Sequence, residues 1–158
     1  MTAPTATPRS TPTGIPLGDG FSTKITLALN PTICFWEKTV QPPGIDGGDA
    51  VNTTTMHNTV WRTMHPRALK TLTDITTTAA YDPQIYTAAL AACNVPTTIT
   101  ITFPDGSTLA FYGYLKSITP KANEEGTPPE ADIVISPTNW DPTAHEEAGP
   151  TLTSVAGT

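Results

Sequence analysis

Residues 97–103, TTITITF, alternate strictly between threonine and an apolar residue from Thr98 onward, and this alternation strongly constrains the fold. In a strand, Ile99, Ile101 and Phe103 lie on one side and the intervening threonines on the other. The next four residues, PDGS, are typical of a tight turn, and TLAFYGYLKSIT at 108–119 then predicts a returning strand. The segment therefore predicts an antiparallel hairpin with one buried face.

The composition also favours a β-rich fold. Hydrophobic residues make up 37% of the 158 residues and charged residues only 14%, whereas a compact globule usually has ~45–50% apolar residues when Gly is counted. Thr, Pro, Ala and Gly supply the difference. Thr is β-branched and suits strands, while the 17 Pro residues interrupt helices. A chain of this length suits one domain with its own core.

Further segments with strand patterns are KITLALN (24–30), ICFWEKTV (33–40), LTDITTTAAY (72–81) and ADIVISP (131–137). One helix is predicted, with Asp82 as its N-cap, Pro83 at its first position, and Asn94 and Pro96 at its end. Six strands and one helix predict a mainly β fold, an antiparallel β-sandwich or half-open barrel with one flanking helix. The residues that alternation assigns to the core are Ile25, Leu27, Leu29, Ile99, Ile101, Phe103, Phe111 and Leu115.

The organisation along the chain is a β domain between two extended arms. Residues 1–20 form a Pro/Thr-rich N-terminal arm, residues 21–137 form the domain with a long loop at 41–70, and residues 138–158 form a C-terminal arm. The arms have little to bury, so they are expected to be unstructured alone and to become ordered against neighbouring molecules. Plain disordered tails are the alternative.

Several functional classes are disfavoured. The net charge of −6 and the lack of a basic stripe argue against tight duplex binding. The N-terminus has no apolar stretch of a secretory signal, and no segment approaches the ~18–20 apolar residues of a membrane span. Cys34 and Cys93 are interpreted as free, buried thiols of a protein made in the cytoplasm. No nucleophile elbow or phosphate-binding glycine loop is present, so no enzymatic activity and no cofactor are expected.

The run NTTTMHNTVWRTMHPR at 52–67 raises the question of a metal site. Its two histidines, His57 and His65, are eight residues apart without an intervening Cys, Asp or Glu, which matches no common zinc spacing. The run is better interpreted as a polar loop with apolar anchors, of which Trp61 is the most informative. A Trp in such a loop indicates a surface that buries it in a partner.

From Pro66 to Pro137 the chain resembles the major tail tube proteins of long-tailed, siphophage-type bacteriophages. The matching features are a strand ending in YDP, a short helix, the FPDGSTLAFYGYL hairpin with Gly113, an acidic loop, and ADIVISPT, all in this order. The resemblance covers about half of the chain, and the N-terminal half matches only in outline.

The resemblance implies a β-sandwich-like barrel whose subunits form hexameric rings that stack into a tube for DNA ejection. It makes the long loop an assembly loop that contacts the next subunit or ring. It implies residence in the virion tail after synthesis in the host cytoplasm, with the tape-measure, tail terminator and tail-tip proteins as partners besides other copies. Passing DNA would be contacted weakly and without specificity, and no membrane would be involved.

Two sets of candidate residues follow. The assembly-loop candidates are Ile45, Val51, Met56, His57, Val60, Trp61 and Met64. Asp74, Thr76 and Thr78 share one face of their predicted strand, opposite Ile75, and are the lumen-facing candidates.

Two alternatives stay open. One is a monomeric β-sandwich binding module, for carbohydrate or surface decoration, in which exposed Trp36, Trp61 and Trp140 stack on sugars. The other is a neck or terminator protein of the tail, which forms rings without long tubes. Self-association separates the first alternative from the tail tube.

Overall fold

One antiparallel sheet forms the centre of the molecule, and the computed structural model describes residues 20, 22–33 and 35–154 of the chain. The strands are β1 (Lys24–Leu27), β2 (Trp36–Val40), β3 (Ile45–Asp46), β4 (Val51–Asn52), β5 (Met64–His65), β6 (Thr71–Leu72), β7 (Ile75–Ala80), β8 (Thr97–Thr102), β9 (Thr108–Pro120), β10 (Glu130–Pro137), β11 (Trp140–Asp141), β12 (Glu146–Glu147) and β13 (Thr151–Thr153). A 3-10 turn, Pro83–Ile85, leads into the helix α1, Tyr86–Ala92. The predicted N-terminal arm, except Gly20, and Cys34 lie outside the described residues.

The sheet has the order β1-β8-β9-β10-β7-β2, and β13 pairs with the start of β9. The predicted hairpin is β8–β9, with Ile99 opposite Phe111 in its register. Its turn closes through a hydrogen bond from the Phe103 N–H to the Ser107 carbonyl at 2.9 Å. Gly106 supplies the left-handed φ of 82° that this turn requires. The mainly β, antiparallel fold with one flanking helix is confirmed.

The core lies on one face of this sheet and beneath α1. Six of the eight predicted core residues are buried, whereas Phe103 is half-buried against the core and Leu29 is 60% exposed. The prediction for Leu29 was wrong because β1 ends at Leu27, so the alternation no longer fixes which way the next residues point. Beyond the predicted set, buried hydrophobic residues are Ile33, Phe35, Leu72, Ile75, Ala79, Ala89, Ala92, Ala131, Ile133 and Ile135.

The sheet curls so that its two edge strands approach each other. Within the described residues β1 and β2 share no backbone ladder, so the sheet is a half-open barrel rather than a closed one. The side chain of Glu37 bridges the opening, because its Oε1 accepts a hydrogen bond of 2.7 Å from the Ile25 N–H. This contact satisfies one donor on the exposed edge of β1.

The helix starts where the sequence predicted. The carboxylate of Asp82 accepts a hydrogen bond of 2.9 Å from the Gln84 N–H, and Pro83 occupies the first position. The helix ends before Asn94, which adopts a left-handed φ of 60° and donates its N–H to the Leu115 carbonyl at 2.9 Å. No helix among the described residues is long and apolar enough to cross a membrane.

The C-terminal segment is more ordered than the predicted arm. β11 and β12 form a small hairpin, and β13 continues along β9 beyond β10, with Leu152 opposite Leu109. The prediction of an unstructured arm was wrong for residues 140–153 because each strand has only two or three residues. Periodicity is undetectable over so short a stretch.

Gly113 lies opposite Pro137 at the end of the β9–β10 ladder, where the backbone of β10 leaves no room for a side chain. A Cβ at this position would lie 2.8 Å from the Ser136 carbonyl oxygen and 3.1 Å from Cδ1 of Ile99. Any side chain would therefore push the two strands apart, which explains a glycine in an otherwise well-filled strand.

A buried hydroxyl generates a test of the core. Thr77 is fully buried, and its Oγ1 has no hydrogen-bond partner among the described residues. Thr77→Val keeps the shape and removes an unpaired polar group, so we expect it to raise the free energy of unfolding by about 1 kcal/mol. The measurement is urea denaturation followed by circular dichroism.

Thr97→Val is the matched control, since Thr97 is also buried but its Oγ1 accepts a hydrogen bond of 3.0 Å from the Leu29 N–H. We expect this variant to lose about 1 kcal/mol of stability. Equal effects of the two substitutions would contradict the assignment of an unpaired hydroxyl at Thr77.

Candidate assembly and channel surfaces

The predicted loop at 41–70 is a hairpin built from two short ladders. β3 pairs with β6, placing Ile45 opposite Leu72, and β4 pairs with β5, placing Val51 opposite His65. We call residues 45–72 the hairpin extension. The sequence did not reveal it because each of its strands has two residues, and these are paired across the turn rather than with the main sheet.

The tip of the hairpin extension is held by its own polar groups. The Thr53 N–H donates to the Thr63 carbonyl at 2.9 Å, and the Thr55 N–H donates to the Asn58 side-chain oxygen at 2.8 Å. The Asn58 amide in turn donates to the Trp61 carbonyl at 3.0 Å. The tip is therefore pre-organised, which lowers the entropy lost when it binds a partner.

Apolar side chains of the hairpin extension point into solvent. Met56 is completely exposed, and Val60 and Trp61 are 76% and 80% exposed. Leu72 is the one residue of the extension in the buried core of the described chain. The exposed group contains all seven predicted assembly residues: Ile45, Val51, Met56, His57, Val60, Trp61 and Met64. A pre-formed hairpin with such a surface is typical of a segment that packs on another molecule.

The hairpin extension also differs from the rest of the chain in charge. It contains Arg62, Arg67 and Lys70, while its only carboxylates, Asp46 and Asp49, lie at its base, so residues 50–70 contain none of the chain's 14 Asp and Glu residues. The remainder of the chain is therefore strongly acidic. This distribution favours contact between the extension and an acidic surface.

The two histidines of the extension lie at separate places, His57 in the tip turn and His65 on β5. The Nδ1 atom of His65 is 2.7 Å from the Pro66 carbonyl oxygen. In the part of the chain that the structure describes, no three His, Cys, Asp or Glu side chains are grouped to hold a metal ion.

The side of the sheet opposite the core, which we call the outer face, carries the predicted lumen residues. Along β7 the residues Ile75, Thr77 and Ala79 are buried, so Thr76 and Thr78 lie on the outer face, with Asp74 just before the strand. The shared face of Asp74, Thr76 and Thr78 agrees with the alternation. Their exposure to a lumen stays a prediction.

Asp74 is the centre of one polar cluster on the outer face. Its carboxylate lies 2.8 Å from Nζ of Lys116 and accepts a 2.8 Å hydrogen bond from the Ser136 hydroxyl. Both contacts lower the pKa of Asp74, and the hydrogen bond with Lys116 is the larger cause. The Asp74 carboxylate in turn raises the pKa of Lys116. Three strands, β7, β9 and β10, each contribute one or more groups to this cluster.

A second cluster lies around Glu130. Its carboxylate pairs with Lys38 at 2.6 Å and with Lys121 at 3.4 Å, and Lys121 also contacts Asp132 at 3.2 Å. The hydroxyl of Thr78 donates to the other side of this cluster, to Asp132 Oδ1 at 3.0 Å. The Lys38 ammonium is the largest cause that lowers the pKa of Glu130, and the Asp132 carboxylate is the largest that raises the pKa of Lys121.

The three lysines of these clusters were not predicted. Lys116 is 42 residues from its partner Asp74, and Lys38 is 92 residues from Glu130. Strand register brings them together, and the register shifts at a β-bulge between Val134 and Ile135 of β10. The two clusters together contain three lysines and the three carboxylates Asp74, Glu130 and Asp132. Their charges balance, although the chain as a whole is acidic.

The ion pairs generate a prediction for acid unfolding. The pKa values of Asp74 and Glu130 are lowered in the folded protein, so each group stabilises the fold above its ordinary pKa of 3.8 or 4.5, and this stabilisation is lost as the pH falls through the lowered value. We expect the midpoint temperature of thermal unfolding to decrease as the pH is lowered below 4.5. The decrease should be smaller in Asp74→Asn and in Glu130→Gln. Differential scanning calorimetry from pH 7 to pH 3 measures it.

Glu124→Gln is the control, because Glu124 has no ion-pair partner among the described residues. An acid-unfolding profile that is the same in Asp74→Asn, Glu130→Gln and the unsubstituted protein would exclude a role for these pairs in stability.

Sequence comparisons identify no relatives of the chain. No protein-family model matches it, and no curated protein does.

Solved structures share the fold over most of the chain. A chain of the virion of a native gene transfer agent particle superposes with a TM-score of 0.58 at 12% identity, covering 87% of this chain and 100% of that one. A chain of the tail of an empty gene transfer agent particle, refined with C6 symmetry, gives a TM-score of 0.55 at 14% identity, covering 89% and 100%. A chain of the six-fold symmetrised baseplate of the anti-feeding prophage gives 0.51 at 5% identity, covering 84% and 91%. The protein therefore has a fold that is also found in the tail and baseplate of phage-like particles.

Proposed function

We propose that the protein is a structural subunit of a phage tail tube, in which hexameric rings stack into a conduit for DNA ejection. The observation that carries the proposal is the likeness, over the whole length of the other chain, to a chain of a C6-symmetric gene transfer agent tail. A subunit of an assembly also explains the exposed hairpin extension, because this segment adds only Leu72 to the buried core of its own chain. No catalytic role is part of the proposal.

Ring formation is supported by the edges of the sheet. β1 and β2 are the two ends of the strand order, and each has one neighbour within the described chain. Free edges invite pairing with another strand. Pairing of such edges between neighbouring subunits would close a ring and leave no edge exposed. The six-fold symmetry given for two of the similar assemblies supports a ring of six.

Stacking of rings is assigned to the hairpin extension. Its exposed apolar tip and the positive charge of its residues 50–70 suit a contact with an acidic neighbour. Other copies of the chain are acidic outside this segment. The tape-measure, tail terminator and tail-tip proteins are the further partners that the proposal includes.

The outer face of the sheet is proposed as the lumen surface. It presents threonine hydroxyls and carboxylates whose charge is largely balanced by Lys38, Lys116 and Lys121. Unpaired cations would bind DNA phosphates and release counterions, which would slow the passage of DNA. A face with balanced charges contacts DNA weakly and without sequence specificity.

A ring without a long tube is the second candidate, since the anti-feeding prophage match comes from a baseplate. In that function the protein assembles into single rings in a neck, terminator or baseplate. Both candidates place the protein in the virion after synthesis in the host cytoplasm.

Removal of the hairpin extension tests stacking. Val51 and His65 are cross-strand neighbours in the β4–β5 ladder, so deleting residues 50–66, the part of the extension beyond β3 and β6, joins Asp49 to Arg67 across a short gap. We expect the variant to keep its β-type circular dichroism but to lose polymers, which sedimentation velocity measures at rising protein concentration. Polymers that form as in the unshortened chain would contradict a stacking role for the extension.

Neutralising Asp74 tests the lumen. Asp74→Asn leaves the Lys116 ammonium unpaired once in every subunit, so we expect assembled tubes to bind short duplex DNA at least about threefold more tightly at low salt. Fluorescence anisotropy of labelled DNA at several salt concentrations measures the affinity. Glu146→Gln changes the net charge equally on β12, outside the two ion-pair clusters and the hairpin extension, and it should have a smaller effect. Equal effects would show that net charge, not the outer face, controls DNA contact.

A further inference from the structure

An apolar groove runs between α1 and the strand beneath it. It encloses about 150 Å³, a volume close to that of engineered protein cavities that bind a benzene ring. Its rim includes Tyr86 and Leu90, which remain 59% and 66% exposed on the helix. The groove is lined by Tyr81, Ile85, Tyr86, Ala89, Leu90, Cys93, Leu115, Ile118 and Pro120. A large exposed side chain of another molecule would bury this surface.

Carboxylates follow the groove lining closely in the sequence. Pro120, in the groove wall, leads directly into the loop of residues 121–129, which contains Glu124 and Glu125. The far end of this loop is held to the same region, because the Tyr81 N–H donates to the Pro129 carbonyl at 2.9 Å. Asp82 follows Tyr81 immediately. Lys121, the first residue of the loop, is paired with Glu130 and Asp132. Glu124, Glu125 and Asp82 have no such ion pair among the described residues, and all three lie within five residues of the groove lining.

The tip of the hairpin extension has the complementary properties. Trp61 presents a large aromatic side chain that is 80% exposed, with Met56 and Val60 nearby in the same turn. Arg62 follows Trp61, and residues 50–70 contain no carboxylate. Trp and Arg are enriched among the few interface residues that carry most of the free energy of protein association.

We propose that Trp61 of one copy inserts into the α1–β9 groove of a second copy, while Arg62 faces Glu124 and Glu125 in the loop that follows Pro120. This inference rests on the proposed function, and it names the surface that receives the hairpin extension. The hairpin tip and the groove are different surfaces of the chain, so the contact is head-to-tail. Each subunit can insert its tip into one neighbour and bind the tip of another in its groove. Repetition of such a contact builds open-ended stacks, as a tube requires.

The direct test is cross-linking between the tip and the groove. Cys93 is half-buried in the groove wall and provides a natural probe there. In a Cys34→Ser background, Val60→Cys adds a thiol beside Trp61 without removing it, and a short bis-maleimide reagent is then added to the polymerised protein. We expect intermolecular adducts joining residue 60 to Cys93, identified by mass spectrometry. Leu69→Cys is the control, since Leu69 is also 80% exposed but lies away from the tip, and it should give at least about tenfold less adduct.

Assembly of substituted proteins gives a second measurement. We expect Trp61→Ala and Leu90→Arg each to raise the protein concentration needed for polymerisation roughly tenfold or more, and Leu69→Arg to change it little. Arg62→Glu should weaken assembly, and combination with Glu124→Lys and Glu125→Lys should restore it. Unchanged thermal midpoints of the monomers exclude misfolding as the cause.

The outcomes separate this inference from the function on which it rests. Polymers of the Val60→Cys protein without an adduct to Cys93 would overturn the groove contact and leave the tube subunit intact. Loss of polymers in Leu90→Arg, combined with the absence of an adduct between residue 60 and Cys93, would also overturn the groove contact. The groove would then bind another occupant, such as residues 1–19 or another tail protein. Absence of polymers in the unsubstituted protein would instead count against the tube.

Discussion

The apolar side chains of β7, β8, β9 and β10 lie on one face of the sheet, and the need to bury that face determines most other features of the molecule. The helix α1 covers part of it, and the curl of the sheet brings the edge strands together around the rest. Since strands alternate, burying one face exposes the other. The threonines and ion pairs of the outer face are the consequence. The same sheet leaves two edges, and the Glu37 side chain satisfies only part of the β1 edge.

Features that depend on neighbouring residues were predictable. The β8–β9 hairpin, the helix cap at Asp82 and the burial of Ile99, Ile101 and Leu115 follow from alternation, turn residues and capping, all of which are local. Leu29 shows the limit of this reasoning, because its strand ends two residues earlier. The exposure of Trp61 was also recognisable, since a Trp among polar residues has nothing local to pack against. The assembly role of its segment stays a prediction.

Features that depend on pairing distant segments were not predictable. The ladders of the extension and of the C-terminal segment have two or three residues each, which gives the sequence no period to detect. The ion pairs of Lys116 and Lys38 require the register of strands separated by tens of residues, including a bulge. The α1–β9 groove depends on how a short helix sits on the sheet. Its rim residues Tyr86 and Leu90 stay exposed, whereas Ala89 and Ala92 of the same helix are buried.

The central claim is that the chain assembles with itself into stacked rings. Negative-stain electron microscopy of the purified, concentrated protein tests it most directly. The account predicts hollow tubes of stacked six-fold rings, with a lumen lined by the outer face of the sheet. Monodisperse monomers at every concentration, also after addition of preformed tail tips as nuclei, would contradict it and favour the monomeric binding module.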